Sequence, residues 1–150
     1  MLVKDIYHPH PRTIKEDTTI KNALSLLIKN EYNSFIVVDK NEKVVGVLSL
    51  QDIAGATVPD EFKDNIQMAS AMYRMGYFSE RSQEIKDKKV KDIMRRNFVW
   101  VDLETNIMAI TADFLKNDLY IVPVIEKNKL IGIITRSEIK KALAVAMGLK

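Results

Sequence analysis

The sequence predicts an α/β (α+β) protein made of two copies of one strand–helix–hairpin–helix unit, with a helical insert between them. Three observations carry that prediction. The tetrapeptide "VKDI" stands at Val3–Ile6 and returns at Val90–Ile93, 87 residues later. At the same spacing Ile20, Ala23, Leu27 and Ile28 fall on Ile107, Ile110, Phe114 and Leu115. Further on, "SFIVVDKNEKVVGVLSL" matches "IVPVIEKNKLIGIITR" with one residue lost in the turn, so that Gly46 pairs with Gly132. Self-similarity at a fixed period marks a repeat architecture.

Each unit opens with a short strand, reaching Arg12, Thr13 and Ile14 in the first copy and running through "FVWVD" in the second. The spacing of the matched apolar residues then puts one face of a helix toward a core. Two apolar strands joined by polar turns ("KNEK", "EKNK") read as a hairpin. The unit closes at a strand-to-helix corner, "GVLSLQD" at 46–52 and "GIITRSE" at 132–138. Thr135-x-x-Glu138 is a capping box and Ser49-x-x-Asp52 a less ideal one, because a hydroxyl and an acid three apart satisfy the first amides of a helix. Such a cap is worth ~1 kcal/mol, enough to account for these residues without a ligand. In the closing helix Ile139, Ala142, Leu143, Ala146 and Met147 share a face suited to packing or dimerisation.

One unit of roughly fifty residues buries too little surface to stand alone. Two units packed with pseudo-two-fold symmetry share a core, and a cleft along their seam is a favoured place for a ligand. The corresponding boundaries are 1–56 for the first unit, 57–89 for the insert and 90–150 for the second.

The insert carries helical signals of its own. Pro59 suits the opening of a helix on which Phe62, Ile66, Ala69, Met72 and Tyr73 recur at helical spacing. Gly76 breaks it, and Ser79 is placed to cap a second, charged helix through Lys88. Met68, Met72 and Met75 with Tyr73, Tyr77 and Phe78 form a soft apolar cluster. It reads as packing over the core or a dimer contact, or as a mobile lid or docking surface.

Bulk properties narrow the function classes. Hydrophobic residues make up 47% of the 150, ample for a core, and the net charge of +3 is dispersed rather than gathered in a basic stripe. Only the pI of about 9.0 argues for nucleic acid, and a dispersed charge argues against that partner. Cysteine is absent, which suits a reducing interior. With no signal-peptide pattern and no apolar run of membrane-spanning length, the expectation is a soluble cytoplasmic protein. His8 and His10 in "HPHP" lack further ligands and read as a solvated loop, not a metal site. No nucleophile–base pair and no "GxxxxGK" loop is present, so no catalysis is expected.

The β-α-β-β-α order, the segments "SFIVVD" and "IVPVIE" and the "GIITRSE" corner resemble a cystathionine-β-synthase (CBS) domain pair, here as a stand-alone module. The resemblance implies a regulatory module that senses an adenosine-containing ligand, AMP, ADP, ATP or S-adenosylmethionine, in composite clefts. It also implies a flat homodimer and an effector protein of unknown identity. The corner of one repeat faces the first strand and leading hairpin strand of the other. Thr135, Arg136 and Glu138 should therefore face Arg12, Thr13 and the backbone of Ser34, Phe35 and Ile36, with Ile14 and Ile36 giving apolar contact. The acid would hold the ribose diol, and Arg136 would clamp phosphate, which tilts the ligand toward a phosphorylated one. The second cleft would combine Ser49 and Asp52 with Trp100, Tyr120, Ile121 and Val122. Leu50 replaces the arginine there, so this cleft is expected to be the weaker. The alternative is a scaffold whose clefts hold no ligand and which serves dimerisation and docking.

Overall fold

The computed structural model describes residues 1–74 and 76–149, and the side chains of residues 72–74 lie outside the described set. The expectation for Met72, Tyr73 and Met75 therefore falls outside it too.

The first repeat comprises the helical turn α1 (Val3–Ile6), β1 (Thr13–Lys15), α2 (Ile20–Asn30), the hairpin β2 (Ser34–Val38) and β3 (Val44–Ser49), and α3 (Leu50–Gly55). Two insert helices follow, α4 (Ile66–Arg74) and α5 (Tyr77–Ile85). The second repeat comprises α6 (Val90–Ile93), α7 (Ile107–Asn117), β4 (Ile121–Glu126), β5 (Lys129–Thr135) and α8 (Arg136–Ala146). Equivalent helices start and stop by equivalent means. The side-chain oxygens of Thr19 and Asn106 accept from the first-turn amides of α2 and α7, the usual role of such residues at a helix start. Glu31 and Asp118 end them in the left-handed region, at φ 57° and 50°. Lys127 and Asn128, both with positive φ, form the tight turn between β4 and β5, the geometry that two-residue hairpins favour.

The repeats differ at the expected first strand. In the first copy β1 pairs in parallel with β2 and Ile36 N–H donates to the Arg12 carbonyl at 2.7 Å. In the second copy only one bridge remains, Val101 to Val124. The cause is in the sequence. At the 87-residue offset Pro123 occupies the place of Ile36, and proline has no N–H to give the ladder.

The two repeats interlock by exchanging their leading turns. Val3 and Lys4 donate backbone hydrogen bonds to Thr105 and Leu103, and Val3 is buried with Ile110, Phe114 and Ile134 in the core of the second repeat. Conversely Val90 donates to Thr18 and is buried with Ile14, Ala23 and Leu48 in the core of the first. A third cluster, Ile36, Val38, Val47, Ile121 and Ile133, joins the two sheets across the seam. The exchanged chains cross the hairpins at the two corner glycines. His8 exchanges hydrogen bonds with Ile133, and Arg95 with Val47. A Cβ on Gly46 would stand 2.8 Å from the Arg95 carbonyl oxygen, and one on Gly132 would meet the His8 carbonyl and the Tyr7 ring. Only glycine leaves room for such an approach.

The insert departs from the expected pair of long helices. Pro59 opens only a 3₁₀ turn, Asp60–Phe62, before α4 begins at Ile66. Gly76, at φ 72°, does break the path, but α5 starts at Tyr77 and ends at Ile85, so Ser79 lies inside the helix and caps nothing. Phe78 is exposed, whereas Ile85 reaches the core of the first repeat.

Candidate functional site: a composite cleft between the repeats

Both corners are capping boxes, as their spacing predicts. The Asp52 Oδ2 accepts from Ser49 N–H at 2.8 Å and Ser49 Oγ–H at 2.9 Å, and Ser49 Oγ in turn accepts from Asp52 N–H. The Glu138 Oε2 accepts from Thr135 N–H at 2.8 Å and Thr135 Oγ–H at 2.6 Å. The two acids differ in access. Glu138 is 1% exposed, while the Asp52 side chain is 10% exposed and opens on a cleft.

That cleft measures about 320 Å³ and is shared by the two repeats, within the size range of small-molecule sites. Its first wall is Val47, Leu48, Ser49 and Asp52. The second repeat supplies Phe98, Val99, Asn117 and Leu119–Ile121, and the exchanged segment supplies Arg95 and Asn97. Arg95 Nε donates to Asp52 Oδ1 at 2.8 Å, while its guanidinium carbon lies 5.7 Å from the centre of the Tyr120 ring. Burial, then a hydrogen bond to Asp118, pushes the Tyr120 phenol above its ordinary pKa, with Arg136 and Arg95 pulling the other way. Tyr120 is thus a neutral aromatic wall beside two cations.

Several residues fall elsewhere than expected. Arg136 lies over the Tyr120 ring at 4.7 Å and 3.5 Å from an Asp118 oxygen, on a wall residue of the Asp52 cleft, because Tyr120 immediately precedes the strand that pairs with the Thr135 corner. Trp100 is 56% exposed and does not line the cleft; Phe98 and Val99 stand there instead. Val122 is buried in the core of the second repeat and Ile14 in that of the first. The strict alternation of strand side chains sends both to the far face. The 87-residue offset also makes Ile121, not Tyr120, the counterpart of Ser34.

On the opposite side, Ser34 is buried and pairs with Ser49 on the neighbouring strand, and Phe35 and Ile36 are core residues. Thr13 is exposed, and Arg12 stacks on Tyr32 at 4.1 Å. The His8 and His10 rings meet edge to face, and no group of metal-ligating residues occurs among the described residues.

Arg95, Asn97, Phe98 and Asn117 were missed. Arg95 had a signal in the repeat itself, since it follows the second "VKDI" at the position His8 holds after the first. Leu50 does replace the corner arginine, and the exchanged segment brings another cation to the same acid.

A larger hollow, about 690 Å³, lies between α2, α3 and α5. Leu24, Ile28, Ile53 and Phe78 dominate it, with Lys21, Lys29 and Lys86, and it has no acid for a sugar diol.

The CBS domain family model matches residues 3–58 and 90–145. Among curated proteins, an uncharacterized protein of Methanocaldococcus jannaschii, MJ1426, is 27% identical over 154 aligned positions, covering 95% of this chain and 91% of that protein. MJ1232 of the same organism is 32% identical over 88% of this chain, which spans only 36% of that protein. Among solved structures, the CBS-domain protein ATU1752 from Agrobacterium tumefaciens superposes at a TM-score of 0.75 with 19% identity, covering 95% of this chain and 92% of that one. The CBS domain pair of MJ0100, solved in complex with 5′-methylthioadenosine and S-adenosyl-L-methionine, superposes at 0.70 with 22% identity, covering 97% and 98%.

Proposed function

The chain belongs to the CBS-domain family, and from that premise we propose that it is a regulatory module binding an adenosine-containing ligand (AMP, ADP, ATP or S-adenosylmethionine) in the composite cleft at Asp52. One observation carries the reading. A carboxylate held by its own capping box opens on a cleft whose other wall, with Tyr120 and Arg95, comes from the second repeat. A fixed carboxylate accepts the two hydrogen bonds of a ribose diol, an aromatic face stacks on a base, and guanidinium receives an anionic tail. The adenosyl ligands of MJ0100 support that class. Thr135 and Glu138, with Arg12, Thr13 and Ser34, form the second site in this reading, at a corner whose acid is buried and whose Thr13 is exposed.

A ligand bound across both walls favours whichever packing of the repeats binds it better, and shifts the equilibrium by that difference alone. The reader of the shift is an effector protein, and the module carries out no chemistry of its own. No helix among the described residues is long and apolar enough to cross a membrane.

The test is thermal unfolding with AMP, ADP, ATP, S-adenosylmethionine and GTP, each against no ligand. At ~100 times its dissociation constant a ligand adds about 2.7 kcal/mol, or roughly 5–10 °C at this size. The expected result is a shift with an adenosine ligand that GTP does not give and that Asp52→Ala largely removes. No shift at millimolar concentration would overturn the reading. A second reading, a dimerisation and docking scaffold, is favoured by the exposed apolar residues Ile28, Met108, Leu115 and Met147 on α2, α7 and the end of α8.

A further inference from the structure

The geometry points to Arg95 as a latch on the Asp52 carboxylate, one that makes the cleft select ligands carrying an anionic group as well as a diol. The inference rests on the adenosyl reading above and adds to it a regulating residue of that site. Asp52 is almost fully engaged within the protein. Its Oδ2 takes two hydrogen bonds from Ser49 and its Oδ1 takes the Arg95 guanidinium at 2.8 Å. A carboxylate offers about four acceptor positions in all, so a diol must compete with Arg95 for the Oδ1 side.

The competition differs by ligand. A nucleoside offers the guanidinium nothing in return, and freeing Asp52 then leaves a partly buried cation without its partner, which is costly. A nucleotide offers a phosphate, and guanidinium binds phosphate in the same forked manner as carboxylate. Arg95 then exchanges one anion for another while Asp52 turns to the sugar. The backbone permits this, because Arg95 is strapped to Val47 through both its N–H and its carbonyl, at 2.9 and 3.0 Å. The side chain swings about a fixed base. Arg136, also beside Tyr120, adds a second positive charge on the same side and leaves the latch itself to Arg95.

The experiment is calorimetric titration of the wild type and of Arg95→Gln with AMP, adenosine and S-adenosylmethionine. The wild type is expected to prefer AMP to adenosine. In Arg95→Gln adenosine should bind about tenfold more tightly than to the wild type, and the preference for AMP should shrink by at least about tenfold. An unchanged ratio of the two affinities, or weaker adenosine binding in the variant, overturns the latch and leaves the adenosyl reading standing. So does a wild type that binds adenosine at least as tightly as AMP. Binding of none of the three overturns both. A second measurement needs no variant. The Arg95 and Asp52 side chains are 38% and 10% exposed, so salt screens their pairing only weakly, while it screens a phosphate arriving from solvent more. The preference for AMP over adenosine should therefore narrow as ionic strength rises. A preference that does not change with salt overturns the latch.

Discussion

The backbone of Arg95 crosses Gly46 so closely that a Cβ at Gly46 would stand 2.8 Å from the Arg95 carbonyl oxygen and 2.8 Å from the Met94 sulfur. The same crossing recurs at Gly132 against His8 and Tyr7, where the obstacle is both backbone and a ring. A methyl group forced into such a contact typically costs 1–3 kcal/mol. Gly132→Ala should be the more destabilising because its Cβ would meet the His8 carbonyl more closely than one at Gly46 meets the Arg95 carbonyl, with a rigid ring beside it, and Gly46→Ala the less, since the flexible Met94 side chain can move. Denaturant unfolding of the two variants checks the order; equal stability of both with the wild type would remove the crossing as the reason for these glycines.

The exchange of leading turns makes a topological prediction. Val3 belongs to the first repeat by sequence and to the core of the second by contact. Val3→Ala should cost roughly 1–3 kcal/mol, as deleting buried methyl groups does. Loss of hydrogen-exchange protection should appear in α7 and β4–β5 before β2–β3. Protection lost first in β2–β3 would mean that the turn supports its own repeat instead.

Much of this was legible because the repeat is written twice. The offset, the hairpins and both capping boxes follow from residue type and spacing, with Thr135–Glu138 and Ser49–Asp52 as their clearest marks. The exchange of turns was not legible, since "VKDI" has the same apolar pattern whichever core receives it. The loss of the second copy's first strand was legible in principle, through Pro123 at the place of Ile36. Arg95 was legible only as the repeat's counterpart of His8, and its contact was not. Its partner Asp52 lies 43 residues away, and only the crossing at Gly46 brings them together.

The two acids should separate capping from ligand contact. Glu138 is buried, and Glu138→Ala strands the Thr135 N–H and hydroxyl, so its cost should exceed a simple cap's ~1 kcal/mol and approach about 2–3 kcal/mol. Asp52→Ala should cost less stability, because Ser49 stands beside the cleft, yet lose more of the AMP-induced thermal shift. Unfolding midpoints of both variants, with and without AMP, decide it. A shift that survives Asp52→Ala but not Glu138→Ala would move the principal site to the other cleft.

Lys91 pairs with Asp17 at 2.9 Å, tying α6 to the loop after β1. The hydrogen bond to Lys91 lowers the Asp17 pKa below 3.8, and that to Asp17 raises the Lys91 pKa above 10.5. A depressed acid stabilises above its unfolded pKa and loses that stability as pH falls through the folded value. A raised lysine stabilises below its unfolded pKa and loses that as pH rises through the folded value. The pair therefore contributes fully between pH 3.8 and 10.5, and weakly, since both groups are solvated. In Lys91→Met the Asp17 carboxyl should titrate near its ordinary value by NMR, with little change in unfolding midpoint at neutral pH. An Asp17 pKa that stays low would show that another group holds it.

The apolar residues that remain exposed argue for a second copy of the chain. Leu115 is 82% exposed, Met108 76% and Ile28 71%, on helices whose opposite faces fill the two repeat cores. Water disfavours such residues, and covering the α7 face of Met108 and Leu115 with the same face of a second molecule gives the self-complementary contact of a two-fold dimer. Sedimentation at tens of micromolar should then report a dimer, and the double variant Met108→Glu with Leu115→Glu should sediment as a monomer. Its unfolding should shift to lower temperature at high protein concentration only, where the wild type gains from association. A wild type that sediments as a monomer throughout would leave this face to an effector protein of another sequence.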